Sequence, residues 1–228
     1  MMQLAQSIRS GRRALMAGAA LMACVAGASS LPACSAARPS IDKPAGDRLG
    51  GDLGKPTGVD AVDAVLQRLE GPTQEVFTAN YTVARKLGAE TANAEVAKSA
   101  TETSVTIGLV RYLVSDAPKT CNLNESLCER GIIEARTSNL GIGASFWRDN
   151  PARALRVTAA RRSGPPTAST ATIGGQEASC VAVPVGQGVE TYCALAAGAI
   201  ARWDTAYVTV ELASFATTAD QEAFQVPG

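Results

Sequence analysis

Histidine occurs nowhere in the 228 residues. Its absence excludes Ser-His-Asp and Cys-His catalysis and every histidine-based metal site. Aromatic residues make up only 4% of the chain, so the core cannot be built mainly on large rings. Ala, Val, Thr and Gly are plentiful instead, which favours a sheet-rich body with small side chains. Neither charge sign is in excess, with 21 basic and 21 acidic residues, and nothing in that balance points to a nucleic-acid partner. The six cysteines include no CxxC pair. That argues against a redox site and against a four-cysteine zinc site, so neither a metal nor a cofactor is expected. The carboxylates Glu129, Glu134 and Asp149 fit cap and surface roles. Gly141 and Gly143 have no strand before them and no Lys-Ser/Thr after them, and read as turn residues rather than a phosphate loop. No catalytic residues are assigned, and the chain is not read as an enzyme.

The amino terminus is more informative. Arg9, Arg12 and Arg13 precede an apolar stretch from Ala14 to about Ser29, closed by Ser29-Ser30 and Pro32. That is the pattern of a secretory signal, and it is shorter than the roughly 20 apolar residues of a spanning helix. Leu31-Pro32-Ala33-Cys34 looks like a lipobox, in which Cys34 is acylated by palmitate-type chains and becomes the new amino terminus. Leu21-Met22-Ala23-Cys24 fits the same pattern with a shorter apolar region. Ordinary signal-peptidase cleavage near Ala33 is the other reading, and Arg12-Arg13 leaves twin-arginine export open beside the general route. The expected organisation is a signal peptide over 1–33, a flexible linker over 34–55 and one α+β domain over 56–228. The linker is rich in Pro, Gly, Asp and Ala. Removing the signal arginines leaves 18 basic against 21 acidic residues. The expected location is the cell envelope, membrane-anchored through lipid on the extracytoplasmic face, where disulfides persist.

Within the domain, Thr57-Gly58-Val59-Asp60 has the spacing of an N-cap plus a first-turn acid. Val59, Val62, Val65, Leu66 and Leu69 follow at helical spacing, and Gly71-Pro72 stops the helix. Phe77, Ala79, Tyr81 and Val83 alternate with polar neighbours, as a half-buried strand does. Further strands are expected at 94–97, 104–107 and 109–115, with a bulge or tight bend at Gly108. Ser126-x-x-Glu129 has capping-box spacing and predicts a helix to about Asn139. Asn150-Pro151 predicts another helix to about Arg162. Five strands then follow at 169–173, 178–185, 189–195, 199–203 and 207–214, before a coil tail in which Phe224 tucks in. Arg148, Arg153, Arg156, Arg161 and Arg162 read as a solvated helix face.

Beyond Cys34, four cysteines remain in the domain. A two-residue loop at Gly186-Gln187 sets Cys180 opposite Cys193 on a non-hydrogen-bonded strand pair, close enough for a disulfide. Cys121 and Cys128 are then left to close a local loop.

Three short stretches carry a resemblance. They are Thr172 to Cys180, then Thr191-Tyr192-Cys193-Ala194-Leu195, then Ala199-Ile200-Ala201-Arg202. With Phe77–Val83, Ser214-Phe215 and Phe224, they resemble envelope lipoproteins of the lipoprotein-carrier-like superfamily over about residues 57–226. That group includes mycobacterial-type lipid-carrying lipoproteins. The resemblance implies a curved antiparallel sheet, nearly a half-barrel, with two to three helices against one face and a lipid or acyl chain in the gap between them. The apolar strand faces offer Phe77, Tyr81, Val105, Ile107, Val208, Val210 and Leu212 as lining residues, or as ordinary core. Two functions remain open: binding or transferring a lipid or other apolar ligand, and non-catalytic docking on a membrane or cell-wall complex. The sequence does not identify a protein partner.

Overall fold

The computed structural model describes residues 53–227. The signal segment, Cys34 and residues 34–52 of the linker lie outside the described residues. Eleven strands form one antiparallel sheet. They are β1 (Phe77–Arg85), β2 (Thr91–Lys98), β3 (Thr103–Ile107), β4 (Val110–Val114), β5 (Lys119–Asn122), β6 (Leu127–Arg130), β7 (Thr167–Ile173), β8 (Gln176–Val185), β9 (Gly188–Leu195), β10 (Ile200–Asp204) and β11 (Val208–Ala216). Two α-helices, α1 (Asp60–Glu70) and α2 (Asp149–Ala160), and 3-10 helices at Glu134–Leu140 and Glu222–Phe224 complete the described structure.

The order across the sheet is β6-β5-β4-β3-β2-β1-β11-β10-β9-β8-β7. Every neighbouring pair is consecutive in sequence except β1 and β11. The two edges, β6 and β7, are therefore joined by one long connection, and that connection carries the Glu134–Leu140 helix and α2. Together with α1, it supplies the layer that covers the concave face. The result is a curved, open half-barrel with helices against one side, an α+β fold.

Alternation explains which face is covered. Phe77, Ala79, Tyr81 and Val83 of β1 are 0–1% exposed, as are Val105 and Ile107 of β3. They share one core with Val62, Val65, Leu66 and Leu69 of α1 and with Leu155 of α2. The segment before α2 adds the large rings. Phe146 meets Tyr81 edge-on at 5.2 Å between centroids, and Trp147 meets Phe77 at 5.8 Å. Polar side chains tie the cover down. The Tyr112 hydroxyl lies 2.9 Å from Thr137 Oγ1. Thr158 of α2 and Tyr192 of β9 both donate to Glu190 Oε2, at 2.7 and 2.8 Å.

Four sequence expectations are corrected. The Ser126-x-x-Glu129 spacing does not open a helix. Leu127–Arg130 is strand β6, paired with β5, and only the 3-10 helix at Glu134–Leu140 follows. Neither β5 nor β6 was expected. Thr57 is not the N-cap of α1. Val59 holds that place without a side-chain bond, and the polarity is reversed: Asp63 accepts from Thr57 N and Oγ1, both at 2.7 Å, and from Gly58 N at 3.2 Å. Ala223, 1% exposed, is the tail residue that tucks in, while Phe224 is half-buried. The arginines are treated with the site below. The segments at 104–107 and 109–115 form a hairpin, with Ile107 paired to Val110 around Gly108.

Two glycines are required by turns. Gly186 has φ +58°, the sign that the first position of the two-residue β8–β9 loop demands. At Gly174, φ is +57° and a Cβ would lie 2.8 Å from Leu212 Cγ, because the β7–β8 turn packs onto β11.

Candidate binding surfaces

The seven apolar strand-face residues all fall on the concave side of the sheet. Phe77, Tyr81, Val105, Ile107, Val208, Val210 and Leu212 are 0–5% exposed and belong to one packed cluster. Ile107 also borders a cleft of about 350 Å³ rimmed by Glu90, Leu109, Arg136 and Asn139. None of the other six borders this cleft or the two larger ones. Two polar atoms of the cluster make no hydrogen bond among the described residues, Trp203 Nε1 and, among the seven, the Tyr81 hydroxyl. Burial pushes the Tyr81 pKa far above that of a free phenol, so it stays protonated.

A cleft of about 550 Å³ lies outside the sheet–helix layer, between α1 and residues 54–56. Its floor is the Glu70–Arg156 pair. Arg156 Nε and Nη2 each donate to Glu70 at 2.6 Å, and Nη1 donates to Lys55 O at 2.9 Å. Arg156 is 4% exposed and Glu70 14%. Arg148 reaches the same helix end, donating to Leu69 O at 2.8 Å and Gly71 O at 2.6 Å, the carbonyls that a helix terminus leaves unsatisfied. So of the five arginines, two are staples between α2 and α1, and only Arg153, Arg161 and Arg162 form a solvated face. The sequence signal for this was weak. Arg156 sits one residue from the buried Leu155, and Glu70 ends α1, but helical spacing cannot show that one side chain reaches the other.

The second cleft, about 510 Å³, is lined by Asp116, Pro118, Lys119, Cys128, Glu129 and Arg130 beside the β6 edge. Cys121 is bonded to Cys128 across β5 and β6, and Cys180 to Cys193 across β8 and β9. Among the described residues, no group of three or more acidic or cysteine side chains converges to hold a metal ion. None of the helices there is long and apolar enough to cross a membrane.

The convex face is strapped by the carboxy-terminal tail. Thr78 Oγ1 donates to Thr218 O at 2.8 Å and accepts from Asp220 N at 2.9 Å. Arg111 Nη1 donates to Glu222 O and Gln225 O, both at 3.2 Å. Beneath the strap, burial raises the Glu95 pKa. The neighbouring Asp220 adds to the rise, and Arg111 partly offsets it. A carboxyl raised in the folded state favours folding most below its unfolded pKa of about 4.3, and that contribution is lost as pH climbs through the folded value. Charged Glu95 therefore opposes folding at neutral pH. Glu95→Gln is expected to melt higher than the parent at pH 7, with the gain closing towards pH 4. Equal differences at both pH values would refute this account.

No family model matches the chain, and no curated protein matches it. Solved structures are similar in backbone arrangement at low identity. A crystal structure of MucB is 11% identical with a TM-score of 0.42, over 74% of this chain and 63% of MucB. A chain of a Pseudomonas aeruginosa MucA/MucB complex is 12% identical, also with a TM-score of 0.42, over 73% of this chain and 61% of that one. A putative outer membrane lipoprotein-sorting protein domain from Vibrio parahaemolyticus is 9% identical with a TM-score of 0.29, over 73% of this chain and 95% of that one. The chain thus spans less than two thirds of the first two of these chains, and no residue roles are carried over from any of these structures.

Proposed function

We propose that this chain is an exported lipoprotein, acylated at Cys34 and tethered through residues 34–55, whose domain over 56–228 is a non-catalytic interaction module at the extracytoplasmic face of a membrane. The export half rests on the arginine-led apolar segment and the Leu31–Cys34 lipobox. Two disulfides suit an oxidising compartment. The interaction half rests on one observation: the place between sheet and helices where a carrier would hold an acyl chain is occupied by the protein's own core, and the cleft of about 350 Å³ at its margin is rimmed by Glu90, Arg136 and Asn139. The clefts of 550 and 510 Å³ lie outside that layer and are rimmed by charged groups, whereas an apolar ligand wants a concave apolar lining.

The test is a native mass spectrum of the Cys34→Ala chain, exported by bacteria and purified without acylation. The expected product is a ligand-free domain, lighter by two hydrogens per disulfide once denatured. The unsubstituted chain should partition into membranes and carry acyl mass on its first residue. A lipid that stays bound through purification and leaves on collisional activation would overturn the interaction reading in favour of the carrier.

A further inference from the structure

We infer that the free edge of β7 is a self-association surface, onto which β7 of a second copy of this chain adds antiparallel about a two-fold axis at Thr170. The inference does not depend on the proposed function. It concerns the sheet edge alone.

The sheet is open, and its two edges are built differently. Strand β6 has four residues, is pinned to β5 by the Cys121–Cys128 disulfide, and carries Glu129 and Arg130. Short length and charge are the devices by which proteins blunt an exposed edge. Strand β7, Thr167-Ala168-Ser169-Thr170-Ala171-Thr172-Ile173, has seven residues with no charge and no proline. Its pairing with β8 runs from Thr167↔Ala182 to Ile173↔Gln176 without a bulge. Threonine-rich strands of this kind pair well.

The hydrogen-bonding row on that edge follows from the turn. Gly174 and Gly175 both have positive φ, at +57° and +77°, which makes a two-residue hairpin whose closing pair, Ile173 and Gln176, exchanges hydrogen bonds. Bonded and non-bonded pairs alternate along an antiparallel ladder. Thr167, Ser169, Ala171 and Ile173 therefore spend their backbone groups on β8. Ala168, Thr170 and Thr172 turn theirs outward, and all three are exposed. Among the described residues, no backbone group outside the sheet bonds to them.

Those three residues are spaced symmetrically about Thr170. A two-fold pairing sets Thr170 against Thr170, and Ala168 of each copy against Thr172 of the other. Every outward N–H and C=O on both strands then finds a partner. No charge is opposed, and the central pair is Thr–Thr, a favourable cross-strand combination. An isologous contact of this kind closes on itself and gives a dimer rather than a fibre.

The test is sedimentation equilibrium of the exported Cys34→Ala chain at concentrations up to about 1 mM, the range in which a small edge contact associates. A concentration-dependent dimer is expected. Ala168→Lys with Thr172→Lys places two like-charged pairs across the axis and should weaken dimerisation at least about tenfold. Ala168→Lys with Thr172→Glu places opposite charges at the same positions and should keep the dimer. Both variants alter exposed residues, and unchanged thermal melts of the monomer control for folding. A chain that stays monomeric up to about 1 mM overturns the inference, and leaves the edge to a strand of some other protein. A dimer that survives the double-lysine change overturns it as well.

Discussion

Arg156→Ala should cost about 3–5 kcal/mol of folding stability, because it strands a carboxylate that the fold has taken out of water. Glu70 is 14% exposed, and two bonds from the Arg156 guanidinium run to it at 2.6 Å, beside one from Gly54 N at 2.8 Å. The substitution also removes the donor to Lys55 O and a stem that fills the α1–α2 seam. At roughly 2–4 °C per kcal/mol for a domain of this size, the melting temperature should fall by about 6–20 °C. Replacing both partners by apolar residues of similar length, Glu70→Leu with Arg156→Met, should recover much of the loss, since neither charge is then buried alone. Urea melts of the three proteins decide the matter. A loss below about 1 kcal/mol for Arg156→Ala would mean that water screens the pair as it does at a surface.

That pair also marks the boundary of what could be read from the sequence. Helical spacing identified α1 as amphipathic, because burial of Val62, Val65, Leu66 and Leu69 imposes a period of 3.6. It could not assign a partner to an arginine, whose long stem reaches several positions across a neighbouring helix. Alternation identified β1, whose one face lies on the core, and the five strands at the carboxy-terminal end read as a meander, of which β7 buries only Ile173. The register of β8 on β9 was legible because a two-residue loop leaves no freedom once Gly186 is taken as its first position. Strands β5 and β6 were not legible. Each has four residues, too few to show a period, and Ser126-x-x-Glu129 imitates a capping box at the turn between them. In fact Ser126 adopts φ +53°, a turn conformation that no N-cap uses. The candidate lining was half legible. Alternation shows which side chains face inward, but whether a gap remains there depends on residues 131–166, which cross from one edge of the sheet to the other. Phe146 and Trp147 in that crossing fill the space over β1, and nothing local in the sequence assigns them to it.

The two disulfides should differ in what their loss does, and the difference tests how the sheet is held. Cys180 and Cys193 are 5% and 1% exposed, in β8 and β9, the strands on which both helices pack. Replacing both by alanine should cost about 3 kcal/mol, the chain-entropy value for a loop of this length, and should lower the stability of the whole domain. Cys121 and Cys128 lie seven residues apart at the sheet edge, with Cys128 partly exposed. Their chain-entropy value is nearly as large, about 2–3 kcal/mol. Yet β6 touches little besides β5, and its loss uncovers little core. Removal of this bridge should therefore appear as local opening of β6. Hydrogen exchange should accelerate in Leu127–Arg130 and Lys119–Asn122, while the global melt moves less than for the first pair. The prediction is read from urea melts together with exchange rates resolved by segment. An equal fall in global stability for both variants would show that the β6 edge unfolds with the rest of the sheet. In that case the Cys121–Cys128 bridge would secure the whole domain instead of shielding one end of it.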